Sequence, residues 1–230
     1  MNNGLLITFE ILLVVVLPLI ILYLKSSWPL RTATLCLVSI PILWYFVYSP
    51  LHELSHIAGT YLVGGKVIYY KLIPRFWLGE FGRAWITPDG LKESWQQLTI
   101  TASPYILDIV SLIAGIFILR RNFSKNPFII GFVFMLLFLR PTFDFVCEPI
   151  AFLSGDKGDI YHIANKIGNV VTWSLILFSA GLSLISIIII LKHFVGFPGT
   201  LSASGNLTKR SSGACGAMAL KALTRACPDD

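Results

Sequence analysis

Apolar residues fall in five runs long enough to cross a bilayer, at about Leu5 to Leu24, Thr34 to Gly65, Ile100 to Leu119, Phe128 to Leu153 and Val170 to Leu191. A run of about 20 such residues coils to roughly 30 Å, the thickness of a hydrocarbon core. The pattern predicts an all-α polytopic membrane protein with five transmembrane helices in a single domain, 1–195. The second run is longer than one crossing requires and contains Pro41 and Pro50, so a kinked helix or two half-helices are expected there. Gly64-Gly65 ends it. Lys66 to Pro74 and Phe76 to Thr87 then read as strands, with Gly79 and Gly82 at a bend and Pro88-Asp89-Gly90 as a turn. This predicts a short β-hairpin whose aromatics suit a membrane interface. Ile160 to Ile167 reads as a further short helix. Beyond His193 the composition shifts to Gly, Ser, Ala, Thr and Lys, and 196–230 reads as a polar, disordered tail.

Composition agrees with the pattern: 55% of the residues are hydrophobic and only 13% charged, which excludes an ordinary soluble domain. The net charge of +6 comes from basic residues clustered at the ends of apolar runs. They read as topology signals facing a lipid bilayer, with a weak inside excess for an external N-terminus, and no nucleic-acid partner is expected. The first run lacks a basic leader and a small-residue cleavage site and carries Glu10, so it reads as a retained helix. The four cysteines show no C-x-x-C spacing and indicate neither a disulfide framework nor a thiolate metal site.

Against this apolar background, His52-Glu53-Leu54-Ser55-His56 stands out, because polar groups inside a membrane span are costly without partners. On a helix, residues four apart share a face. His52 and His56 can therefore offer two imidazole nitrogens to one metal, with Glu53 beside them as a general base. Polar Ser49, Ser55 and Thr60 on the same run are candidates to line a water path. Several carboxylates can supply a third ligand. Asp144 lies four residues from both Arg140 and Glu148, so it reads either as a ligand or as a buried partner of Arg140. Asp108, about one turn after Ser103-Pro104, reads as a residue that orients a ligand histidine. Glu148 is a further candidate, and Asp159 reads alternatively as the N-cap of the helix at Ile160. His162 and His193 read as polar residues at helix ends.

Taken together, Pro50 to Gly168 resembles the site-2 protease family of intramembrane metalloproteases. The resemblance rests on His52-Glu53-Leu54-Ser55-His56, on Gly64-Gly65-Lys66-Val67 leading to a hairpin, on Ala102-Ser103-Pro104 opening the next span, and on an Asp-Gly-like element before a later helix. Family members usually carry Gly-Pro where this chain has Ser103-Pro104, and their third ligand is an Asp in an Asp-Gly pair. The nearest match here is Asp156-Lys157-Gly158, which makes Asp156 the first choice, with Gly155 and Gly158 allowing close backbone approach. The resemblance implies a three-helix catalytic core within about 34–168 and a Zn2+ ion held by His52, His56 and Asp156, with Glu53 catalytic. It also implies a transmembrane protein substrate, and the hairpin reads as an edge strand that can pair with an unwound substrate. Two other readings stay open. One is a gluzincin-like membrane protease with Glu148 as third ligand; the other is a non-catalytic helix-binding or transport protein.

Overall fold

The computed structural model describes residues 8–26, 28–74, 84–121, 124–155 and 157–195. The expected bend at Gly79 and Gly82, Asp156, and the tail 196–230 lie outside the described residues.

The described chain is mostly helical, with five helices long and apolar enough to cross a membrane. They are α1 (Thr8–Lys25), α2 (Leu30–Leu62), α3 (Ser94–Arg120), α4 (Pro127–Leu153) and α6 (Asn169–Val195). The short helix α5 (Asp159–Ile167) and a two-stranded sheet complete the described elements. Helix α4 is the centre of the bundle: 67% of its most apolar window is buried, against 22% for α2. Its Phe134, Phe138 and Leu139 pack with Leu19, Leu22 and Tyr23 of α1 and with Ile40 and Trp44 of α2. Lipid is as apolar as these side chains, so close packing rather than expulsion from water must hold such helices together. Gly131 shows how tight that packing is, since a Cβ there would overlap the Tyr23 hydroxyl and meet Ile40 Cδ1. The Tyr23 hydroxyl donates across the same contact to the Pro127 carbonyl at 2.9 Å. Within α4 a π-helical turn, Met135–Leu139, immediately precedes Arg140.

Helix α2 is one continuous helix through both Pro41 and Pro50 rather than a pair of half-helices. At roughly 1.5 Å per residue it is about 50 Å long. The chain turns at Gly64, whose φ of 78° suits a residue without Cβ, and enters β1 (Lys66–Lys71). β1 pairs antiparallel with β2 (Trp85–Asp89), placing Lys66 opposite Asp89 and Lys71 opposite Trp85. Pro88 and Asp89 thus extend the strand instead of forming the expected turn, which falls at Gly90 (φ 76°). Pro88 has no N–H for the ladder and stands opposite Val67, where the register becomes irregular. Beyond β1, the Leu72 carbonyl accepts a hydrogen bond from Ser49 at 2.9 Å. About 20 Å of helix separates Ser49 from Leu62, so the hairpin runs back along α2 instead of projecting away from it. Both strands pack on that helix, while Ile68, Tyr69, Tyr70 and Trp85 stay exposed.

Candidate metal centre

The group begins on α2. His52, Glu53 and His56 are all buried on the face that packs towards α3 and α4. The third member comes from α5, which buries Ile160, Ile163 and Ala164 in the bundle and so brings its first residue, Asp159, over the two imidazoles. One carboxylate oxygen, Asp159 Oδ2, lies 3.2 Å from His52 Nε2 and 3.0 Å from His56 Nε2. Ligands at about 2.0–2.1 Å from a tetrahedral ion stand roughly 3.3 Å apart, so these two separations are compatible with a metal site. Helix α5 starts at Asp159 with Gly158 as its N-cap, and the Asp159 carboxylate is turned to the histidines instead of capping the helix.

The remaining ring nitrogens are fixed as well. His56 Nδ1 lies 2.8 Å from the Ile100 carbonyl oxygen and His52 Nδ1 lies 3.4 Å from Asp144. Protonation of both Nδ1 atoms satisfies these acceptors and leaves each Nε2 lone pair free for an ion, the arrangement in which outer partners orient metal-binding histidines. Asp144 also accepts the Tyr48 hydroxyl at 2.5 Å. Burial alone would raise the Asp159 carboxyl; where the imidazoles instead carry a proton on Nε2, their hydrogen bonds and charge hold it well below the usual carboxylate range.

The chain matches no family model, no curated protein and no solved structure. The chemistry of the site therefore has to be read from its own geometry.

Among the described residues, His52, His56 and Asp159 form the group that can hold a metal ion, with their ligand atoms within 4.8 Å of one another. Asp156, expected as third ligand, lies outside the described residues; Asp159, three positions on, is the carboxylate that stands with the two histidines. Asp144, weighed as a competing ligand, instead contacts the far nitrogen of His52. Asp108, expected to orient a histidine, pairs with Arg140 at 2.5 Å, and the orienting part falls to Asp144. Glu148 is not in the group, although its Oε2 comes within 3.4 Å of a Cβ built on Gly158, next to Asp159. The hydroxyls expected to line a water path are engaged with backbone: Ser55 bonds the Leu51 carbonyl, Thr60 that of His56, and Ser49 that of Leu72. Ile100 and Tyr48 were not singled out as site residues, and Arg140 was read only as a buried partner of Asp144, from which its Nη1 lies 3.9 Å. For Ile100 a signal was present in Pro104, which removes the N–H that the Ile100 carbonyl would otherwise accept.

A cavity of about 310 Å³ lies between α3, α4, α5 and α6, walled by apolar residues including Tyr105, Phe145, Ile163 and Leu175; it reaches Asp144 but is not lined by His52, Glu53, His56 or Asp159. Asp108 and Asp144 lie 2.5 and 3.9 Å from the Arg140 guanidinium, while Asp159 meets the two histidines.

Proposed function

We propose that the chain is an intramembrane zinc endopeptidase, cutting a peptide bond in or near the transmembrane helix of a membrane-protein substrate, as its resemblance to the site-2 protease family implies. The observation that carries the reading is the approach of His52 Nε2 and His56 Nε2 to one oxygen, Asp159 Oδ2, with Glu53 on the same helical turn, in a helix long and apolar enough to cross a membrane. Two imidazoles and one carboxylate suit zinc and leave a position open for substrate. When bound, the metal supplies Lewis-acid polarisation of the scissile carbonyl and acidifies water. Glu53 takes a proton from the attacking water as its oxygen bonds to the carbonyl carbon, then delivers it to the amine nitrogen as the C–N bond breaks. His52 and His56 stay neutral and oriented through Asp144 and the Ile100 carbonyl. The cavity that reaches Asp144 accommodates an apolar side chain of the substrate, and the exposed hairpin offers strand pairing to a helix that has unwound around the scissile bond.

The test uses the full chain in lipid nanodiscs with labelled transmembrane peptides. Wild type is expected to cleave, to stop on chelation and to recover with Zn2+, while Glu53→Gln keeps the metal and loses turnover by on the order of 10²–10⁴-fold. A wild type that binds metal yet cleaves nothing across a broad peptide panel, or Glu53→Gln cleaving at the wild-type rate, would overturn the protease reading in favour of helix binding or transport.

A further inference from the structure

Behind the metal group lies a second set of buried charges that hydrolysis itself does not use. Asp108 on α3 and Arg140 and Asp144 on α4 are 0%, 1% and 0% exposed. Arg140 Nη2 lies 2.5 Å from Asp108 Oδ1 and 3.3 Å from the Ser111 hydroxyl, and Arg140 Nη1 lies 3.9 Å from Asp144 Oδ2. Asp144 then reaches His52 Nδ1 at 3.4 Å. We propose that Asp108 and Arg140 are positioning residues for the metal centre, acting through Asp144 to fix the His52 ring from α3 and α4. This inference rests on the metal-site reading above.

Packing alone does not account for these residues. Apolar side chains would join α3 to α4 at least as well, since buried ion pairs replaced by hydrophobic groups commonly lose no stability. What the guanidinium adds is placement. It lies 2.5 Å from Asp108 and 3.9 Å from Asp144, so its charge acts on Asp144 while the Tyr48 hydroxyl donates to that carboxylate at 2.5 Å. Asp144 is thereby fixed where it can accept the Nδ1 proton of His52, which directs Nε2 at Asp159. Arg140 Nε and Nη1 have no aligned hydrogen-bond acceptor among the described residues, so charge and the contacts at Nη2 hold the side chain. The π-helical turn directly before Arg140 widens α4 at this point, a distortion often found beside functional residues.

The experiment is a chelator competition that measures Zn2+ affinity of the full chain in nanodiscs, with Co2+ absorption as a second readout of the ligand field. Asp144→Asn and Arg140→Gln are each expected to lower affinity on the order of 10-fold. The double variant Asp144→Asn/Arg140→Gln should bind no more weakly than Asp144→Asn, because both act along one path. Since Arg140→Gln alone strands a buried carboxylate and can unfold, the pair Asp108→Asn/Arg140→Gln removes both charges together. It is expected to fold, to show the same loss and to shift the Co2+ bands. Additive losses in the Asp144/Arg140 cycle, or wild-type affinity in the neutral pair, overturn the proposal while leaving the metal site intact. A folded wild type that binds no Zn2+ removes the metal-site reading and this inference with it.

Discussion

His56 Nδ1 and the Ile100 carbonyl oxygen lie 2.8 Å apart, joining the ligand helix α2 to α3 by a bond that an ordinary helix would not offer. In a regular α-helix the carbonyl of residue 100 accepts the N–H of residue 104. Residue 104 is proline. The Ile100 oxygen is free of that bond and takes two side-chain groups, the imidazole of His56 and the Ser103 hydroxyl at 2.6 Å. Ser103-Pro104 is thus an orienting element for a metal ligand, and its role is legible only once α2 and α3 are packed together.

Pro104→Ala returns an N–H to the helix and sets it in competition with His56. Ala is the better residue in a helix interior, so the protein should unfold at the same temperature or higher. Metal affinity should nevertheless fall, on the order of 10-fold as for other outer partners of metal histidines. Thermal unfolding and chelator competition on one preparation separate the two effects. Unchanged affinity in a folded Pro104→Ala protein rules out this role for the proline.

The two aspartates that flank Lys157-Gly158 differ in what their loss should do. Asp159→Ala removes the oxygen shared by both histidines, and metal content should drop from about one ion per chain to near zero. Asp156→Ala should retain the metal. Elemental analysis of the purified variants decides the matter, and the reverse pattern would restore Asp156 as the ligand.

Gly59 faces α3 without room for a side chain. A Cβ there would come within 2.8 Å of Ser103 Oγ and 3.2 Å of Ile100 Cα. Gly59→Leu should force the helices apart, cost about 1–3 kcal/mol of stability through overpacking, and loosen His56 from Ile100. Loss of metal from the fraction that remains folded is the expected sign. Retention of metal and stability would show that this contact gives way more easily than its distances suggest.

Ser49→Ala removes the bond that ties the chain after β1 to α2. The loss should be about 1 kcal/mol, confined to the hairpin. Hydrogen exchange should therefore rise across Lys66–Lys71 and Trp85–Asp89 with the α4 core unchanged. Uniform exchange across the protein would mean the hairpin is held by its other contacts.

The helices were legible in the sequence because each spanning run is long and little interrupted. Their ends were less so. Helix α3 starts at Ser94, six residues before its apolar run, because Gln96 Oε1 accepts the N–H groups of Lys92 and Glu93 and anchors a polar first turn. Hydropathy carries no signal for such a turn. His52 and His56 were readable from their spacing alone, since one helix fixes both. The carboxylate beside them was not, because Asp156 and Asp159 lie three residues apart in sequence, each preceded by a glycine. Only the burial of Ile160 and Ile163 sets which side chain meets the histidines. The choice is made by packing between elements distant in sequence, and local pattern is blind to it.

At about 50 Å, α2 exceeds a typical hydrocarbon core by roughly 20 Å, and a helix so mismatched accommodates chiefly by tilting. A thicker bilayer stands it more upright and a thinner one lays it over, carrying His52 and His56 to a different depth each time. The position along a passing helix that meets Glu53 then varies with lipid thickness. Under the proposed proteolytic function, bilayers of short- and long-chain lipid should yield cleavage products of different length from one substrate.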